Sequence, residues 1–264
     1  EPSFKTNVDH WHIDYVYLDK NRHYQDFDVN DLVLQRNIGS LLLNYEAMPW
    51  SHFQQAGINE VSTIFPINLK NLSGERKYYE PTFSIIEEYG SSQGFSKELL
   101  ADEIQAFQTL NYDATFNFGF TSDASDSANF KVELKLNPTE QDLIPGNTLV
   151  EHDQFFGNYY AYDDGSSEAG YGITGEGTAN ATIAVEYHNF MPGDSLVGVS
   201  MFFNKSYQSE NRKYFQLALW ENENGKPGNL IYMQEGFRPD FENGLTGFDY
   251  FEFDTSQVVA ESFF

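Results

Sequence analysis

Cysteine is absent from the 264-residue chain, so no disulfide can staple it and no thiolate can act as nucleophile or metal ligand. Stability must come from core burial, which argues against a small disulfide-held ectodomain. Cations are scarce: fifteen Lys and Arg stand against forty Asp and Glu, a formal net charge of −25 with an isoelectric point near 4.3. Such a surface repels phosphate backbones and anionic membranes, so nucleic acid is not expected as a partner. No apolar run is long enough to cross a bilayer, and direct membrane insertion is not expected. An initiator Met and a charged segment leading into an apolar stretch are also missing, from which a processed or partial stretch of a longer polypeptide is expected. There is no G-x-S-x-G elbow, H-E-x-x-H helix, phosphate-binding loop or Ser-His-Asp signature, and the expectation is a non-enzyme. Paired carboxylates could run a glycosidase, but among forty acids chance pairs are everywhere.

What the chain has in abundance is aromatic side chains, 17% of residues, with 24 Phe and 17 Tyr. That bias favours pleated, half-buried strands. The acids are interleaved with these aromatics, the pattern of a folded acidic surface and not of a disordered tail. The length suggests two domains.

Alternation and turn residues divide the chain further. Trp11, Ile13, Tyr15 and Tyr17 would share one strand face, with His10, His12, Asp14, Val16 and Leu18 on the other. Residues 1–20 are therefore expected as a strand, and 21–58 as a docked linker whose Leu41, Leu42, Leu43, Met48 and Trp50 are too apolar to trail in water, with a helical turn near Asp31–Gln35. Residues 59–156 predict one immunoglobulin-like or fibronectin-like sandwich, with strands at Ser62–Leu69, Tyr79–Glu88, Tyr112–Phe120, Phe130–Leu136 and Thr148–Phe155. Residues 157–264 predict a second antiparallel sandwich, with strands at Ala181–Tyr187, Ser195–Phe203, Tyr214–Glu221, Leu230–Glu235 and Phe248–Phe253 and a turn at Asn224–Gly228.

Four stretches carry a family likeness. Tyr160–Gly172 reads YAYDDGSSEAGYG, His10–Asp19 reads HWHIDYVYLD, Tyr45–Phe53 reads YEAMPWSHF, and Trp220–Tyr232 reads WENENGKPGNLIY. In this wording and order the chain resembles large multidomain surface proteins exported by the type 9 secretion system of Bacteroidetes, in which a Y-A-Y-D-D-G-x-x-E-A-G-Y-G segment marks the handover between β-sandwiches. The resemblance implies an all-β chain: an immunoglobulin-like sandwich followed by a jelly roll, with the N-terminal strand closing a preceding jelly roll. It implies a secreted, outer-membrane-associated module at the bacterial cell surface, structural or adhesive in role. Its partners would be other domains of the same polypeptide, a surface complex or the secretion machinery. Asp126-Ser127-Ala128 and Asp194-Ser195-Leu196 match the short pattern at which such exported proteins are glycosylated, with Ser127 the better placed.

Candidate ligand groups are few. Asp163, Asp164 and Glu168 cluster in a glycine-rich turn, where carboxylates and carbonyls can hold calcium, although the spacing is not that of an EF-hand; hydrogen-bonded turn aspartates explain Asp163 and Asp164 equally well. His10, His12 and Asp14 match an H-x-H-x-D metal spacing, but Tyr15 follows where a further His would be needed, and the polar face of a strand accounts for them. Trp50, Tyr207, Trp220 and Tyr232 could form a sugar-stacking platform, making a carbohydrate-binding module of an enzyme encoded elsewhere in the polypeptide the alternative function and a glycan the alternative partner.

Overall fold

The computed structural model describes residues 16, 18, 20–21, 23–35, 38–91, 94–115, 118–165, 176, 181–203, 213–239 and 247–264. Sixteen strands and one short α-helix are found among them, so the chain is all-β. It divides into two compact units, one spanning Tyr17–Asp164 and the other holding Gly165–Phe264. The run His10–Asp19 lies outside the described residues except for Val16 and Leu18, which are exposed and belong to no strand.

In the first unit, β1 (Leu32–Leu34), β3 (Ile64–Asn71) and β8 (Thr109–Thr115) form one sheet. The facing sheet runs in the order β2 (Met48–Pro49), β10 (Leu149–Gly157), β9 (Ala128–Lys135), β5 (Thr82–Glu87) and β6 (Phe95–Glu98). All neighbours are antiparallel except β2, which lies parallel to β10. Taking β3, β5, β8, β9 and β10 as strands B, C, E, F and G reproduces the B–E and C–F–G pairings of an immunoglobulin-like sandwich. A short pair, β4 (Lys77–Tyr79) with β7 (Asp102–Ile104), completes the unit.

Period-two alternation sends Phe65, Ile67 and Leu69 of β3 and Phe83 and Ile85 of β5 inward, and the rings of Phe65 and Phe83 meet at 4.8 Å, joining the two sheets. The segment expected as a docked linker supplies both β1 and β2 and the helix α1 (Trp50–Ala56). The helical turn expected near Asp31–Gln35 is instead β1: Leu32 and Leu34 alternate inward and the edge of β3 offers their backbone a partner. Helix α1 places Trp50, 1% exposed, against Phe53, Phe130 and Phe156. Beyond Phe156 the chain stays with this unit, because Ala161 bridges to Ala47 and the rings of Tyr160 and Tyr162 pack on Tyr45 at 4.9 and 4.8 Å.

The second unit is a two-sheet antiparallel assembly. One sheet has the order β11 (Tyr187–His188), β16 (Ser262–Phe263), β13 (Phe215–Asn222), β14 (Pro227–Phe237), and the other pairs β12 (Ser195–Met201) with β15 (Asp249–Val258). Leu219, Phe253, Val259 and Phe263 form its core, with Leu196, Val199, Leu217, Tyr187 and Tyr232 packed around them. Of the run expected at Ala181–Tyr187 only Tyr187 enters a strand; Ile183 and Val185 stay exposed, with no neighbouring strand among the described residues. Asn224 and Gly225 both have positive φ, 57° and 77°, and make the tight two-residue hairpin turn between β13 and β14.

Phe156 is fully buried and meets the rings of Trp50, Phe53, Phe120 and Phe130. In urea denaturation, Phe156→Ala is expected to cost about 3–5 kcal/mol, whereas Leu100→Ala, at a side chain 91% exposed, should stay within about 0.5 kcal/mol of the parent. Gly225→Ala meets open space around its new Cβ, so its cost should be the backbone strain alone, about 1–2 kcal/mol, read in the same melts.

Candidate functional site

Among the described residues of the first unit, Asp31, Lys77 and Asp142 form a buried group of ionisable side chains. Lys77 opens β4, and because Tyr79 points inward from the same strand face, Lys77 points inward too. Asp31 precedes β1, and Asp142 lies in the loop between β9 and the 3-10 turn Pro145–Thr148. The side chains of Lys77 and Asp142 are only 2% and 5% exposed, and Asp31 is fully buried.

Each carboxylate is held by backbone. Leu32 N–H donates to Asp142 Oδ1 at 3.0 Å, Ile144 N–H donates to Asp31 Oδ1 at 3.3 Å, and the Asn147 side-chain amide donates to Asp31 Oδ2 at 2.7 Å. Lys77 Nζ stands 3.8 Å from Asp142 Oδ1. Neither Lys77 Nζ nor Asp142 Oδ2 makes a hydrogen bond. Burial, and then the adjacent Asp31 carboxylate, push the Asp142 carboxyl up to about 6, against the opposing pull of Leu32 N–H and the Lys77 ammonium. The cluster thus combines an amine, a carboxyl that holds its proton more tightly than a free aspartate and a second carboxyl, away from water.

The residues singled out in the sequence fall elsewhere. Asp163 and Asp164 are exposed beside Gly165, whose φ of +89° suits the turn, and Glu168 lies outside the described residues. Among the described residues no three His, Asp or Glu side chains are grouped to hold a metal. His10, His12, Asp14 and Tyr207 also lie outside them. Ser127 is half-buried just before β9, and Ser195 is exposed at the start of β12 with its N–H on Asp194 Oδ1.

Of the four residues named for a sugar-stacking platform, packing accounts for Trp50 and Tyr232. Trp50 is core, its indole N–H donating to the Ala124 carbonyl at 2.9 Å. Trp220 is half-buried, and Tyr232 packs on Phe253 at 5.4 Å while its hydroxyl donates to Gln234. Compared with known protein families, characterised proteins and solved structures, the chain matches none.

Asp31, Lys77 and Asp142 were not singled out by the sequence. The one available signal was alternation: extending the strand at Tyr79 back by one period puts Lys77 on the inward face. Asp31 and Asp142 carry no such sign, since each sits in a loop and only the fold joins them.

Burial lowers the affinity of the His152 imidazole for its proton, opposed by the charges of Asp153 and Asp164 and by a hydrogen bond with Gln154. Stability linked to neutral His152 is therefore complete above the ordinary value of 6.5 and is lost as pH falls through the lower folded-state midpoint. An NMR titration of the His152 ring should show a midpoint below 6.5; a midpoint at or above that value would contradict the burial argument.

Proposed function

We propose that this chain is a non-enzymatic structural or adhesive part of a larger polypeptide at the bacterial cell surface, exported by type 9 secretion machinery. The observation that carries the reading is the division of the chain between Asp164 and Gly165, within the YAYDDG segment on which the resemblance rests. A surface protein built of serial sandwiches needs such handovers, short and rich in turn residues. The packing supports a structural role as well, because the described ionisable cluster, Asp31 with Lys77 and Asp142, is enclosed in the interior of a sandwich. Exposed acids such as Asp123 serve turns: its carboxylate accepts both the N–H and the hydroxyl of Ser91.

Within this reading the N-terminal run closes a preceding jelly roll, the second unit is itself a jelly roll, and the neighbours of the chain are other domains of the polypeptide or of a surface complex. Calcium at Asp163, Asp164 and Glu168 and a glycan on Ser127 are modifications of the same surface module. Antibodies raised against the chain should label intact cells of its source and detect a native polypeptide well above 30.3 kDa, with surface label lost when the exporter is disabled. Labelling only after permeabilisation would overturn the proposal.

A further inference from the structure

We propose that Lys77 and Asp142 condense into an intramolecular amide, a lysine–aspartate isopeptide cross-link, with Asp31 carrying the proton. The inference rests on the cluster geometry and is independent of where the protein resides. A buried ion pair repays the cost of leaving water only when its hydrogen bonds are complete. Here the separation of 3.8 Å is well beyond a charge-assisted hydrogen bond, and both Lys77 Nζ and Asp142 Oδ2 lack hydrogen-bond partners. Condensation removes both charges from the interior and releases one water.

The parts that the reaction requires are in place. Lys77 and Asp142 are held by β4 and by the loop entering the 3-10 turn, and effective molarities for groups so oriented reach roughly 10⁵–10⁸ M. Leu32 N–H, donating to Asp142 Oδ1, polarises the carbonyl and steadies the oxyanion of a tetrahedral intermediate. Asp31, positioned by Ile144 N–H and Asn147, lies beside Asp142, and its carboxylate strengthens the hold of Asp142 on its own proton. The Asp31 carboxylate takes a proton from the Lys77 ammonium, and the free amine attacks Cγ of the Asp142 acid. As the C–N bond forms, the nitrogen loses a second proton, relayed through Asp31 to the departing hydroxyl. The Cγ–OH bond breaks and water leaves. Asp31 ends as the neutral acid, Oδ1 becomes the amide carbonyl oxygen, and the net charge of the cluster is zero before and after. No oxidant, metal or co-reactant enters.

Intact-mass spectrometry of the full recombinant chain, denatured before measurement, tests this directly. The expected mass is lower than that of the sequence by one water, and proteolysis should release a branched peptide containing both Lys77 and Asp142. Lys77→Arg should restore the full sequence mass, and Asp142→Asn should lose one ammonia in place of water. Asp31→Asn, shown by circular dichroism to retain its strands, should lower the cross-linked fraction at a given time after synthesis. A folded wild-type chain that keeps its full sequence mass after prolonged incubation overturns the proposal, whatever the variants do. So does a water loss that maps to residues other than Lys77 and Asp142.

Discussion

Aromatic packing between facing sheets is the interaction on which the first sandwich depends. With no disulfide available, rings hold the layers together: Phe65 on Phe83 joins the two sheets, and Trp50 and Phe53 of α1 with Phe120 cover Phe130 and Phe156 of the larger sheet. Each buried phenylalanine contributes roughly 1.5–3 kcal/mol, and ring pairs add about 0.5–1.5 kcal/mol more. Solvated ion pairs such as Arg76 with Glu103 cannot compete with that. The helix α1 exists to deliver Trp50 and Phe53 to this cluster, since seven residues would not hold a helix alone. The second unit uses the same device, with Phe203, Phe215 and Phe237 arranged around Phe251.

The large negative charge imposes the complementary constraint. Forty acids cannot be paired by fifteen cations, so most must remain solvated, and those that enter the interior need donors. Glu87 shows how this is met: it accepts from Tyr89 N–H, Gly90 N–H and the Ser122 hydroxyl, which ties the end of β5 to a neighbouring loop. Asp31 is satisfied in the same manner by Ile144 and Asn147. Lys77 and Asp142 differ, a buried cation and acid without hydrogen bonds between them, where the other buried acids among the described residues are bonded. That contrast, more than the presence of ionisable groups, distinguishes the cluster.

Strand content was legible because alternation is a local property. Ile64–Asn71, Ala128–Lys135 and Leu149–Gly157 appear close to where the period of two places them, and Asn224-Gly225 turns as that dipeptide should. The short strands β1, β2, β4 and β16 carry at most one period of alternation, too little to mark a strand in the sequence, and they exist because a neighbouring strand edge receives them. Ala181–Glu186 is the converse, an alternating run that lies outside any strand, with the Glu186 carboxylate bound by the side chains of Asn222 and Ser262. Trp50 could be read as a platform or as core, and its burial follows from helix α1 folding beneath β10.

By itself, then, the sequence determined the all-β class, the reliance on aromatic burial in place of disulfides, the acidic surface and the main strands, because each of these follows from composition or from neighbours a few residues apart. The tertiary structure alone decided which sheet each strand joins, that Tyr160 and Tyr162 stay with the first sandwich, and that Asp31, Lys77 and Asp142 meet. Contacts between residues so distant along the chain leave no local periodicity to read, and arise only when sheet packing closes the loops that separate them.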